Sequence, residues 1–152
     1  MSTGLKIGLA LGSGSSRGWS HIGIINELSK LGIAPDIVCG TSVGSMVGAA
    51  YVAGTIEKLE TWACSLTKFD VAKFLDINMS MTGFVNTERF HDFLNKNIAG
   101  DEDAIEDLAK VYAAVSTDLE TVREVWLRKG SLIQAVWASM VMPGLFPERK
   151  IK

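Results

Sequence analysis

Two short apolar runs each end in a glycine-rich turn and pass at once into a helix signal, and this doubled pattern constrains the fold more than any other feature. Ile7-Gly-Leu-Ala-Leu11 reads as a buried parallel strand. It breaks into Gly12-Ser-Gly-Ser-Ser-Arg-Gly18, a loop whose small residues permit unusual backbone angles. A helix is expected from about Trp19 to Leu31, because Ile22, Ile25, Leu28 and Leu31 recur at helical spacing and Gly32 follows as a stop. Pro35-Asp36 leads into a second strand, Ile37 to Cys39. Gly40-Thr-Ser-Val-Gly44 then turns into a second helix, Val43 to about Ala53, with Gly54 as its stop. Strand-helix-strand-helix order implies a right-handed crossover and a parallel sheet, with both glycine-rich loops at its carboxyl edge.

The remainder of the chain is less specific. Thr55 to Leu66 reads as an amphipathic helix with Ile56, Leu59 and Trp62-Ala63 on one face. Met79 to Val85 reads as loop. Asn86 to Asn97 reads as a helix, with Asn86 or Thr87 as cap and Phe90, Phe93 and Leu94 inward. The acidic stretch from Gly100 to Asp107 is expected to be solvated surface. Val111 to Val115 is the third strand, Thr117 to Thr121 a turn, and Val122 to Leu127 the fourth strand. Ser131 caps a last helix through about Met140, which Met142-Pro-Gly-Leu-Phe-Pro147 breaks. The four tryptophans and Met140 and Met142 are read as packing rather than as a lipid belt or acyl pocket.

Composition removes several function classes. At 47% hydrophobic and 21% charged residues the chain is too apolar for disorder. A net charge of -2 without a basic stripe argues against a nucleic-acid partner. Cys39 and Cys64 make no disulfide framework, and Cys39 is expected to be small buried filler. His21 and His91 lie far apart and no Cys-x-x-Cys occurs, so no metal or other cofactor is expected. The N-terminus lacks a signal-peptide pattern, and Val43 to Ala53 is well short of the roughly 20 residues a membrane span needs. A cytoplasmic protein with peripheral membrane contact at most is expected.

Gly40-Thr41-Ser42-Val43-Gly44 matches G-x-S-x-G, at a point where a buried strand passes into a helix. A nucleophile on so tight a turn needs small neighbours on both sides, and the helix N-terminus favours developing negative charge at the serine oxygen. The same five residues also fit a glycine-flanked serine that merely caps a helix. Gly12 to Gly18 offers consecutive backbone N–H groups, which could line a pocket for a phosphate or for a tetrahedral oxyanion. The dinucleotide fingerprint fails at Arg17, where its third glycine belongs, and no Gly-Lys-Ser/Thr tripeptide exists for a P-loop. A nucleotide-binding domain is thus the weaker reading. Amides of the first loop facing the serine of the second would make an oxyanion hole and its nucleophile.

These residues resemble the patatin-like phospholipase family in its bacterial cytosolic branch, from Lys6 through Phe146. The resemblance rests on Gly12-Ser-Gly-Ser-Ser-Arg-Gly18 followed by Trp19-Ser-His-Ile-Gly23, on Gly40-Thr-Ser-Val-Gly44, on Ser116-Thr-Asp-Leu119, and on Ala138-Ser139 with Pro143-Gly-Leu-Phe146. It implies a three-layer α/β/α serine hydrolase that cleaves acyl esters of lipids with a Ser–Asp dyad. It further implies Ser42 as nucleophile, an oxyanion hole over Gly12, Ser13, Gly14 and Ser15 with Arg17 nearby, and an elbow of Gly40, Thr41, Val43 and Gly44. Two departures stand out. Ser13 and Ser15 interrupt the family's glycine run, and the dyad Asp belongs to an Asp-Gly motif that occurs nowhere in this sequence.

Within the sequence, Asp118 is the best substitute base, although a turn Asp more often bonds its own backbone. His91 is expected on an exposed helix face, and His21 to orient the glycine-rich loop or to pack, rather than to act as a base. No His follows the acids of the second half, which excludes a Ser-acid-His triad in that chain order.

The expectation is therefore one α/β domain over residues 1–152, the N-terminal portion of a patatin-like sandwich with a mostly parallel sheet and its C-terminal strands missing. An uncovered sheet edge points to a fragment or a homo-oligomer rather than a comfortable monomer. The expected activity is acyl-ester hydrolysis on a lipid substrate, impaired here without the Asp. The alternative is a non-catalytic module that binds acyl chains or a protein partner.

Overall fold

The computed structural model describes residues 4–67 and 87–141. The expected Met79–Val85 loop, the cap at Asn86, Met142 and the Pro143–Phe146 block lie outside the described residues.

The four strands form one sheet in the order β1 (Gly8–Leu11), β2 (Ile37–Thr41), β3 (Val111–Thr117) and β4 (Glu124–Leu127). β1, β2 and β3 run parallel, and β4 returns antiparallel to β3. In register, Leu11 lies opposite Gly40, and Thr41 lies opposite Val115. The loop after β1 and the turn after β2 therefore leave the same edge of the sheet as neighbours.

The first half was almost fully legible in its glycines. α1 (Ser20–Lys30) and α2 (Val43–Val52) both stop at a glycine with positive φ, Gly32 and Gly54. After α1, the N–H of Ile33 donates to Leu28 O and that of Gly32 to Ser29 O. After α2, Thr55 donates to Ala50 O and Gly54 to Tyr51 O. Both ends are thus Schellman motifs, which satisfy the last carbonyls of each helix. Leu31, the last of the helically spaced apolar residues, occupies the cap of α1 and is 74% exposed, whereas Ile22 and Ile25 are buried.

α2 is the central element of the core. Every residue from Val43 to Val52 is buried except Tyr51, which is half-buried, as a helix apolar on all sides requires. It lies on the sheet face formed by Leu9, Leu11, Val38, Tyr112 and Ala114. A Cβ on Gly48 would stand 3.0 Å from Val38 and 3.3 Å from Tyr112, so the glycine sets this close approach. α3 (Ile56–Ser65), α4 (Thr87–Asn97) and α5 (Leu132–Met140) add Leu59, Phe90, Leu94, Val136 and Trp137 to the same core. On the alternate sheet face, Ile37, Val111 and Trp126 remain 42%, 61% and 42% exposed. The mixed, mostly parallel sheet with its helices is consistent with the patatin-like α/β/α fold that the resemblance implies.

Several local expectations shift. The second half of the glycine-rich loop winds into a 3-10 helix, Ser15–Trp19, ahead of α1. β3 extends to Thr117, and the fourth strand begins at Glu124 rather than Val122, because Val122 takes a left-handed φ of 57° in the connecting turn. The acidic connection contains another 3-10 helix, Ile105–Asp107, and its exposed acids also tie the chain together. Asp103 accepts from the Gly100 N–H, and Glu106 from the Gly130 N–H, each at 2.6 Å. Cys39 is half-buried rather than buried, and Cys64 is exposed; both are free thiols.

Candidate active site

Ser42 sits between the end of β2 and the start of α2 with φ 53° and ψ −125°. A non-glycine residue there is strained, at a cost of about 1–3 kcal/mol, and persists only where its surroundings fix it. Those surroundings are three layers of close backbone. A Cβ on Gly40 would collide with the Gly44 carbonyl and stand 2.6 Å from Ser45 N. One on Gly44 would collide with the Leu11 carbonyl and stand 2.5 Å from that of Gly12. The glycines flanking the serine are thus required by contact, the first within the turn and the second against the loop after β1.

The Ser42 carbonyl begins α2, accepting from Ser45 N at 2.9 Å, from Met46 N at 3.2 Å and from Ser45 Oγ at 2.7 Å. Its side chain does not cap the helix. Ser131 shows the ordinary alternative in the same chain, with φ −58°, ψ 125° and a hydroxyl accepting from Gln134 N at 3.4 Å. Ser42 has neither the dihedrals nor the hydrogen bond of a cap. It is half-buried, and among the described residues its hydroxyl makes no hydrogen bond. Asp118 does not supply one.

The loop after β1 lies against this turn. Gly18 packs on Val43, the residue after the serine, so closely that a Cβ there would stand 2.8 Å from Val43 Cγ1. Arg17 N donates to Gly14 O at 3.0 Å, closing the loop into its 3-10 turn, and the side chain of Arg17 is exposed. Gly14 and Ser15 take φ values of 157° and 50°. A serine where the family prefers glycine therefore does not prevent a left-handed backbone, although it carries about 1–2 kcal/mol of strain that glycine would not. Gly12, Ser13, Gly14 and Ser15 are all exposed, and no described residue accepts a hydrogen bond from the N–H of Ser13, Gly14 or Ser15.

His21 orients this loop, as the sequence leads one to expect. Its Nε2 lies 2.9 Å from the Gly12 carbonyl, which can only accept, so Nε2 carries the hydrogen. His91, by contrast, is half-buried rather than exposed. Its Nε2 meets Asp101 Oδ1 at 2.8 Å, and its ring faces that of Trp137 across 6.4 Å. Asp118 accepts from Glu120 N at 2.8 Å and Thr121 N at 2.9 Å. The Thr121 and Glu120 amides hold its carboxyl below the usual range, so it is a turn residue bonded to its own backbone.

Sequence reasoning assigned no task to Ser139, near the end of α5. Its hydroxyl accepts from Ser42 N at 2.9 Å and donates to Val115 O at 2.6 Å. Thr41 Oγ1 donates to the same Val115 carbonyl at 3.1 Å, and Ser116 Oγ donates to Ala138 O at 2.7 Å. The only sequence signal was Ala138-Ser139 standing as one block of the resemblance. Among the described residues no group of acidic, His or Cys side chains could hold a metal, and no helix is long and apolar enough to cross a membrane.

The fold is that of an α/β protein in which a strained serine at a strand-to-helix turn lies against a loop of exposed small residues. The comparisons specify the family. The Patatin-like phospholipase family profile matches residues 9–152, and the chain belongs to that family. It is 36% identical over 146 residues to an uncharacterized NTE family protein of Mycobacterium bovis, covering 96% of this chain and 40% of that protein. Human patatin-like phospholipase domain-containing protein 6 is 34% identical over 150 residues, 95% of this chain and 11% of its own length. Neuropathy target esterase sws of Drosophila melanogaster is 31% identical, again over 95% of this chain and 10% of its own length. The chain thus spans less than half the length of these curated relatives.

Proposed function

We propose that the chain carries the nucleophile half of a serine acyl hydrolase acting on lipid esters, with Ser42 as the attacking residue. Residues 1–152 form the N-terminal portion of the patatin-like domain in this reading, working in the cytoplasm with peripheral membrane contact at most. Ser42 Oγ adds to an ester carbonyl, and the carbonyl oxygen becomes the tetrahedral oxyanion. The N–H groups of Ser13, Gly14 and Ser15, with Gly12 fixing the loop and Arg17 beside it, receive that oxygen. In the family's Ser–Asp dyad the Asp takes the serine proton and returns it to the alcohol that collapse expels, which leaves an acyl-serine from which water releases a fatty acid. The serine proton needs a base, and the family's Asp-Gly motif is absent from the sequence. Hydrolysis by this chain as given is therefore weak or absent, resting on positioning and the oxyanion contacts.

The single observation carrying this reading is Ser42 itself, held in a strained backbone conformation with its hydroxyl spared from capping. A residue retained only as a cap would take the relaxed geometry of Ser131. The rival reading, a non-catalytic acyl- or protein-binding module, predicts no special reactivity at that hydroxyl. A fluorophosphonate probe separates the two. Labelling that maps to Ser42 and disappears in Ser42→Ala is the expected result, whereas a folded chain with Ser42 unmodified favours the binding role.

A further inference from the structure

We infer that Ser139 is a positioning residue for the nucleophile, holding the peptide that enters Ser42; this rests on the reading of Ser42 given above. Ser42 follows Thr41, the last residue of the β2 ladder, which pairs with Val115, and takes a left-handed φ. Its N–H finds its partner in Ser139 Oγ at 2.9 Å. The hydroxyl's own hydrogen goes to Val115 O at 2.6 Å. Both directions are fixed, since an amide only donates and a carbonyl only accepts. The chain of bonds therefore runs from the Ser42 amide through Ser139 to β3, and each polarises the next.

This places three elements at one point. β3 supplies an anchoring carbonyl, α5 supplies the hydroxyl, and the turn after β2 supplies the strained residue. Thr41 Oγ1 reaches the same carbonyl from the preceding position, so the peptide between Thr41 and Ser42 is gripped on both sides. The Ser42 N–H is consumed in this contact and is not a donor to an oxyanion, which leaves that task to other amides. A hydroxyl is required at residue 139, because alanine removes both bonds and leaves a half-buried amide of a strained residue without its partner.

Two readouts test the inference on the chain as it exists. Exchange of the Ser42 amide, followed by NMR, reports the pin without requiring any reaction. Fluorophosphonate labelling, resolved into its binding constant and its maximal rate, reports the effect on the nucleophile. For Ser139→Ala, Ser42 amide exchange should rise about tenfold, corresponding to one lost hydrogen bond. The maximal labelling rate should fall by about tenfold or more with the binding constant unchanged, because misplacement acts on attack rather than on binding. Ser139→Thr, which keeps the hydroxyl, should restore both.

Ser116→Ala is the control, since it deletes a comparable bond at the same helix end, to Ala138 O, without touching Ser42. It should change neither readout. Unaltered Ser42 exchange in Ser139→Ala, or an equal loss of labelling in Ser116→Ala, overturns the inference. If Ser139→Ala does not fold, Ser139→Cys, whose thiol is a weak donor and acceptor, is compared with Ser139→Thr on the same two scales. A wild-type chain that never labels defeats the hydrolase reading instead, and the exchange measurement alone then decides the pin.

Discussion

Alanine at Gly44 should be among the most destabilising single-methyl additions this chain can receive. The added carbon would overlap the Leu11 carbonyl and stand 2.5 Å from the Gly12 oxygen and 2.6 Å from Leu11 C. All of these are backbone atoms, so no side chain can rotate aside. Relief requires α2 to lift from the end of β1, which loosens Met46, Val47 and Ala50, each buried at 0% exposure. Overpacking of this kind costs about 1–3 kcal/mol where side chains yield, so about 3 kcal/mol or more is expected here. For a chain of this size that is about 6–12 °C in melting temperature. Gly40→Ala should behave alike, because it meets the Gly44 carbonyl. Gly18→Ala meets only the Val43 side chain, at 2.8 Å, and should cost less, about 1–2 kcal/mol. Gly23→Ala, within α1 and with nothing inside 4 Å, should stabilise by about 0.5–1 kcal/mol. Thermal unfolding of the four variants by circular dichroism gives the ranking. A Gly44→Ala protein melting within a degree or two of wild type would refute the claim that loop and turn touch through their backbones.

Val122→Gly should stabilise, because a β-branched residue 80% exposed at φ 57° carries left-handed strain that glycine lacks. After the entropy cost of glycine the net gain is about 0.5–1 kcal/mol, read as a small rise in melting temperature; a fall would show that the turn depends on the valine. Stability should decline in acid. The folded pKa values of Asp36, Glu106 and Asp118 lie below their ordinary values, chiefly because backbone amides donate to each carboxylate. Their contribution is therefore present above the unfolded values near 4 and lost as pH falls through the folded ones. Melting curves between pH 7 and pH 3 should show this acid limb, and Asp118→Asn should flatten it; a melting temperature flat to pH 3 would contradict it.

The turn at Ser42 and the loop after β1 were legible because each depends on glycine, and glycine leaves a local trace wherever backbones approach or φ turns positive. Gly40, Gly44, Gly32 and Gly54 all do what their positions suggested. The boundaries that moved depend on residues that break local rules. Val122 has the composition of a strand and the conformation of a turn, and Leu31 completes an apolar stripe yet lies in the cap of α1. His91 and Ser139 were illegible for a different reason. Their partners, Asp101 with Trp137 and Ser42 with Val115, become neighbours only through folding, and in the case of Ser139 from 97 residues away. Periodicity carries no record of such contacts.

A crystal structure of the chain after reaction with a fluorophosphonate would test most directly whether two adjoining turns build a hydrolytic centre. It should hold a phosphonyl group on Ser42 Oγ, with its oxygen within hydrogen-bonding reach of the amides of Ser13, Gly14 and Ser15. A phosphonyl oxygen directed away from those amides, or a folded chain in which Ser42 stays unmodified, would contradict it.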